Sequence, residues 1–388
     1  MHMPLRILIA HNTYQQRGGE DAVVEAEVAL LRAHGHEVRL YQRSNDDINS
    51  MSKASAALQT LWSSRTQNDA AALFAQFQPQ VLHAHNTFPL ISPSLYWAAA
   101  RARVPVVQTL HNFRLICPQA LLMREGQVCE DCVGHIPWRA ARHACYRSSV
   151  AQSAVVAGMV QMHRALGTWQ HKVARYIALN AFCRDRFVAG GLPRERIRIK
   201  PNFVDLPEPP AGPRQGLLFV GRLSEEKGVG VLAAAAAMGP PGMSVQVVGG
   251  GPLQSLLQAS NQVSLLGALA PAEVYQAMGR ARALLVPSIW YENFPRTVVE
   301  AFACGTPVIA SRIGALATLV DDGRTGLLFK PGDAADLAVK MAWAQAHPDE
   351  MAAMGRQARA HYERELTGES NQRQLLAIYD EAMAEGPA

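Results

Sequence analysis

The 388-residue chain is 49% hydrophobic and 18% charged, a globular composition that exceeds one core and lacks the low-complexity tracts of disorder. Its net charge of +5 hides an uneven split: residues 1–204 carry 23 Lys and Arg against 13 Asp and Glu, the remainder 14 against 19. No apolar stretch approaches the roughly 18 residues of a membrane span and residues 5–10 lack a signal-peptide cleavage pattern, so a cytoplasmic protein is expected.

Short β-branched runs alternate with longer helical patterns, the signature of βαβ units and parallel sheets. In the first half the expected strands are residues 5–10, 38–41, 81–83, 104–110 and 176–179. The loop after the first carries Arg17, Gly18, Gly19 and Glu20, and His111 closes the fourth. Cys117, Cys129, Cys132 and Cys145 follow, in a segment too short for its own core. A C-x2-C inside a four-cysteine group is consistent with a structural zinc site, ordinary cysteines or a redox pair being the alternatives. Arg139, Arg142, Arg147 and Arg164 come next, interleaved with Trp138, Tyr146, Trp169 and an apolar run at 155–160. Such a segment suits a peripheral contact with anionic lipid, and equally a packed hairpin with solvated arginines.

The Pro-rich stretch 206–213 can continue neither sheet nor helix and reads as a hinge. Beyond it, strands are expected at 217–220, 244–248, 263–265, 283–286, 307–310 and 326–329, and after Asp336 the pattern is wholly helical. The class is α/β, with two doubly wound, Rossmann-like domains. The first is residues 1–204 with a cysteine-containing insertion at 112–150, and the second is 205–365. A terminal helix at 366–388 packs back on the first. Ligands of such sheets bind at the carboxyl ends of the strands.

Chemistry-bearing residues gather at those ends. Gly221, Arg222 and Lys227 follow the strand at 217–220, pairing fixed cations with a helix N-terminus, as an anionic diphosphate requires. The run Gly249, Gly250, Gly251, Pro252 ends the next strand. Glycines there let backbone approach a ligand closely, although such a cluster is often only a tight turn. After the strand at 283–286 come Glu292 and, eight positions on, Glu300. Pro295 suits the start of the helix between them and Gly305 the position past its end.

Together these segments resemble the family-four retaining glycosyltransferases of the GT-B fold, the group with a Glu-x7-Glu motif. Also matching are His83-Ala-His-Asn86, Gln108-Thr-Leu-His-Asn112, Tyr176-Ile-Ala-Leu-Asn180, Pro201-Asn-Phe-Val-Asp205 and Thr325-Gly-Leu-Leu328, in family order over nearly the whole chain. The resemblance implies two domains facing a deep cleft, and a nucleotide-sugar donor. Glu292 would contact the sugar hydroxyls and Glu300 the ribose. Arg222, Lys227 and Gly19 would hold the diphosphate, and Gly251, Asn293 and Phe294 would complete the donor site. His111 would lie beside the transferring sugar, with His85 lining the cleft. Departures are Pro295, where many members have glycine, and Gly314-Ala-Leu-Ala-Thr318, which replaces a frequent Gly-Gly-x-x-Glu.

No Asp-x-Asp occurs, so no cofactor is expected for the chemistry and fixed cations are expected to neutralise the leaving group. The expected partners are a nucleotide-sugar donor and a glycan or polyprenyl-linked acceptor of cell-surface polysaccharide assembly, not nucleic acid. The alternatives are a nucleotide-sugar epimerase of the same fold and a non-catalytic sugar-binding protein.

Overall fold

A computed structural model describes residues 3–206, 212–258 and 260–386. Most of the proposed hinge, residues 207–211, lies outside the described residues. The chain divides into two compact units, the first comprising Met1–Leu122, Glu130–Pro201 and Asn371–Ala388, the second Met123–Cys129 and Asn202–Ser370. Relative to the sequence-based boundaries, the division falls at 201/202 instead of 204/205, and the cysteine-containing insertion is shared between the units.

In the first unit β1 (Arg6–Thr13), β2 (Glu37–Ser44), β3 (Val81–Asn86) and β4 (Val106–Thr109) precede a two-residue hairpin, β5 (Met123–Arg124) with β6 (Gln127–Val128), which clusters with the second unit. β7 (Arg175–Ala178) and β8 (Ile197–Ile199) complete a sheet of order β2-β1-β3-β4-β7-β8 in which each adjacent pair runs parallel. The six residues of β3 are all buried, as expected of a central strand covered on both faces. Ile7 and Ile9 of β1 pack with Val81, Val107 and Ile177 against Val24, Val28 and Leu31 of the helix Gly19–Ala33. Leu375, Leu376, Ile378, Tyr379 and Ala382 of the terminal helix Gly368–Glu385 belong to the same cluster.

The second unit holds β9 (Leu217–Val220), β10 (Val245–Val248), β11 (Val263–Gly267), β12 (Ala283–Val286), β13 (Val308–Ser311) and β14 (Gly326–Phe329) in the order β11-β10-β9-β12-β13-β14, again all parallel. Successive residues serve opposite faces, as the two-residue repeat of a strand dictates. Leu218, Leu284 and Val308 join one core, while Leu217, Phe219, Leu285 and Ile309 join the other. In both sheets the chain reverses its winding beside the first strand, β1 or β9. Ligands of such sheets bind in the crevice at this switch point. Among the described residues no helix is long and apolar enough to cross a membrane.

Candidate active site

In the second unit the loops leaving the adjacent strands β9 and β12 press against each other. Ile289 donates its backbone N–H to Glu226 O at 3.0 Å. Gly228, at φ 72°, sits so close to Pro287 that a Cβ there would collide with the Pro287 carbonyl. The contact sets Lys227 against Glu292: Nζ donates to Oε1 at 2.6 Å, and Ser288 Oγ donates to the same oxygen at 2.8 Å. Lys227 Nζ also lies 5.6 Å from the centre of the Trp290 ring. Burial pushes the Glu292 carboxyl up, but the Lys227 ammonium and the hydrogen bonds from Lys227 and Ser288 pull harder, leaving it below the usual carboxylate range. Glu292 is therefore ionised at neutral pH and accepts hydrogen bonds only.

Glu300 lies on the following helix, Arg296–Ala303, whose N-cap is Pro295. It is buried and accepts from Arg296 Nε at 2.8 Å. Burial raises its pKa more than Arg296 lowers it, so the carboxyl ends above its ordinary range. Gly305 follows the helix in the left-handed conformation, at φ 64°. The neighbouring loop, Gly249 to Gly251, lies along the one after β9, with Leu223 N–H donating to Gly250 O at 2.9 Å. Arg222 is exposed and has no ion-pair partner among the described residues. Asn293 and Phe294 are half-buried beside Glu292, and Phe294 packs on the core.

The structure thus joins Lys227 directly to Glu292 and sets Glu300 with Arg296, while Arg222 is exposed and forms no ion pair among the described residues. Ser288, Trp290 and Arg296 escape a reading from the sequence alone. The first two could have been suspected from their positions inside the loop that ends at Glu292. Replacing Gly228 with alanine is expected to cost about 1–3 kcal/mol, because a side chain at this φ forces the two loops apart. Urea unfolding measures the loss.

In the first unit, Gly19 opens the helix Gly19–Ala33 and is exposed. Asp21 occupies its first turn: Oδ2 accepts from Gly18 N–H and Oδ1 pairs with His11 Nε2, both at 2.8 Å. Glu20 accepts from the Tyr14 hydroxyl at 2.8 Å through Oε2, while Oε1 is buried without a hydrogen-bond partner among the described residues. Burial, aided by Asp21, pushes Glu20 up to about 7 against the opposing effects of Tyr14, Asn112 and Arg114. The fold accordingly favours the protonated form. That contribution is whole below the ordinary value of 4.5 and is lost as pH rises through about 7. Glu20→Gln should then stabilise the protein relative to wild type at pH 8 and match it near pH 4, as thermal midpoints at the two pH values would show.

His111, half-buried after β4, stacks on His85, with His85 Nδ1 and His111 Nε2 2.8 Å apart. His85 does not line an open surface, since its side chain is fully buried. Behind it, Glu27 Oε1 lies 3.1 Å from His85 Nε2 and 3.0 Å from His83 Nδ1, and Lys200 Nζ reaches Glu27 Oε2 at 3.2 Å. The Glu27, His83 and His85 ligand atoms lie within 4.8 Å of one another, the spacing of a metal cage. The donors are otherwise committed, however. Lys200 already neutralises Glu27, and His83 bonds Tyr379 and Thr109 through its two nitrogens at 2.7 and 2.8 Å. A divalent cation would have to displace these partners, so the arrangement is better described as a hydrogen-bonded charge cluster. Cys117, Cys132 and Cys145 belong to the first unit and Cys129 to the second. Among the described residues they do not gather into a three-ligand group.

Two parallel sheets with carboxylates and cations at their switch points are the GT-B glycosyltransferase architecture. Residues 17–208 match the model of Glycosyltransferase Family 4 and residues 208–361 that of Glycosyl transferases group 1, and the chain belongs to this family. It is 33% identical over 201 residues to a D-inositol 3-phosphate glycosyltransferase of Nocardia farcinica, covering 44% of each chain. It is also 36% identical over 166 residues to a glycogen synthase of Mycobacterium tuberculosis, covering 40% of this chain and 39% of that one. The matched region thus spans less than half the length of these curated relatives. Among solved structures, HepE of Anabaena in complex with UDP and glucose aligns with a TM-score of 0.65 at 18% identity, covering 97% of this chain and 100% of the other. A glycosyltransferase of Rickettsia africae aligns with a TM-score of 0.72 at 16% identity, covering 98% and 99%. At these identities the likeness is one of fold.

Proposed function

We propose that the protein transfers a sugar from a nucleotide diphosphate donor to a glycan or lipid-linked acceptor, with retention of anomeric configuration and without a metal in the chemical step. The observation that carries this reading is the Lys227–Glu292 pair at the switch point of the second sheet, with Glu300 on the helix that follows. An ionised, buried carboxylate is a strong acceptor for sugar hydroxyls, and Glu300 is offered to the ribose. Lys227 and the exposed Arg222 supply the positive charge for the diphosphate. The UDP and glucose named with the Anabaena relative support a uridine donor as the first to try.

The chemical step balances without a protein nucleophile. The acceptor oxygen bonds to the anomeric carbon on the face from which the diphosphate leaves, the carbon–oxygen bond to phosphate breaks, and the acceptor proton passes to the departing phosphate oxygen. Exposed Ile136, Trp138 and Val150, in a segment that also carries Arg139, Arg142 and Arg147, favour a peripheral contact of a cytoplasmic enzyme with anionic lipid.

The test is release of nucleoside diphosphate from UDP-, GDP- and ADP-sugars by the full chain in EDTA, with and without a lipid-linked acceptor. Acceptor-dependent release in chelator supports the reading. Turnover abolished by EDTA and restored by magnesium removes the metal-free step. Donor consumed equally without acceptor points instead to an epimerase or hydrolase.

A further inference from the structure

A buried charge cluster of Glu27, His83, His85 and Lys200 lies behind His111. Glu27 is fully buried, one of its oxygens neutralised by Lys200, and Lys200 is held in turn by Asn371 Oδ1 at 3.0 Å. The other oxygen, Oε1, points between His83 and His85. His85 Nε2 and Glu27 Oε1 are both buried and, among the described residues, neither forms a well-directed hydrogen bond, yet they lie 3.1 Å apart, with His83 Nδ1 3.0 Å from the same carboxylate oxygen. Two lone pairs held at that distance out of water would repel, and the carboxylate therefore selects the proton onto His85 Nε2.

The consequence passes along the stack. With its proton on Nε2, His85 presents a lone pair at Nδ1 to His111 Nε2, 2.8 Å away. One proton must lie between these two nitrogens, and His111 must supply it. His111 then carries its hydrogen on Nε2, facing inward, and its Nδ1 lone pair is the acceptor left over. Among the described residues nothing bonds to that nitrogen. Burial, with His85 adding to it, holds the imidazole well below its usual range, which keeps it neutral.

We infer that Glu27 and His85 are positioning residues that fix His111 as a neutral hydrogen-bond acceptor at Nδ1. This assignment rests on the proposed transferase reading in giving His111 a sugar hydroxyl to meet. A group of this kind receives a hydroxyl proton and offers nothing to a phosphate, which separates its work from that of Lys227 and Arg222.

Long-range proton–nitrogen NMR of the full chain labelled with nitrogen-15 in histidine reports the tautomer directly, with His111→Gln and His85→Gln assigning the signals. Wild type is expected to show His111 as a single neutral form protonated at Nε2. The double variant Glu27→Gln with Lys200→Met removes the carboxylate without stranding the ammonium. In it the tautomer ratio at His111 should change by about tenfold or more, equivalent to one pK unit of lost bias. A wild-type His111 protonated at Nδ1, or one whose tautomer is the same in the double variant, overturns the assignment. Because the signal needs no turnover, a protein with the expected tautomer that releases no nucleoside diphosphate would count against the transferase reading alone. With a working donor, the double variant is expected to lose kcat with little change in donor KM.

Discussion

Lys200→Met is expected to destabilise the protein by about 3–5 kcal/mol, the range for removing one partner of a buried ion pair. The reason lies with Glu27 more than with the lysine. Glu27 has essentially no contact with water, and burial alone would drive its carboxyl up. Lys200, His83 and His85 overcome that and hold it well below the usual range, with Lys200 the largest of the three. Without the ammonium the carboxylate must either stay charged in the core or take up a proton. The fold loses free energy either way. Adding Glu27→Gln to Lys200→Met should recover much of the loss, since the amide carries no charge to bury. Urea unfolding of the two variants beside wild type measures both effects. An unchanged midpoint for Lys200→Met would mean that the histidines alone neutralise Glu27.

Glu292→Ala is expected to lower the rate of sugar transfer by on the order of a hundredfold or more, the cost of losing a group that orients the reacting sugar. The variant also frees Lys227, whose ammonium now bonds the Glu292 carboxylate at 2.6 Å. That separates two roles. If Glu292 serves the sugar, kcat falls while the nucleoside diphosphate alone binds as well or better, because a free ammonium attracts the diphosphate. If Glu292 only steadies Lys227, Glu292→Ala and Lys227→Ala should weaken diphosphate binding alike. Steady-state rates with calorimetric binding of the diphosphate distinguish the cases, and a rate equal to wild type removes Glu292 from the site.

Much of the fold is legible in the sequence because parallel strands buried on both faces are written as continuous apolar runs, such as Leu217–Val220 and Gly326–Phe329. β8 is missed for the opposite reason. It is a three-residue edge strand carrying Arg198, and the surrounding Arg-Ile-Arg-Ile-Lys looks like a solvated segment. β1 runs on through His11, Asn12 and Thr13 because its carboxyl end carries polar residues that a hydrophobic pattern would exclude. In the candidate site, Lys227 and Glu292 stand out because their loops follow apolar strands directly, and Glu300 because it stands eight positions past Glu292 on the helix that follows. The Glu27 cluster does not, because its members come from residues 27, 83, 85, 200 and 371, and no local spacing announces that they meet. Lys200 in particular reads as the surface end of a basic run, yet it is 1% exposed.

Calorimetric titration of UDP-, GDP- and ADP-sugars into the full chain in EDTA asks whether the second unit holds a nucleotide sugar on Lys227, Glu292 and Glu300. One donor is expected to bind, and Lys227→Ala is expected to weaken it by roughly tenfold or more, as the loss of a charge-assisted contact implies. Absence of binding by every donor, or binding that Lys227→Ala leaves unchanged, would mean that these residues do not form a donor site.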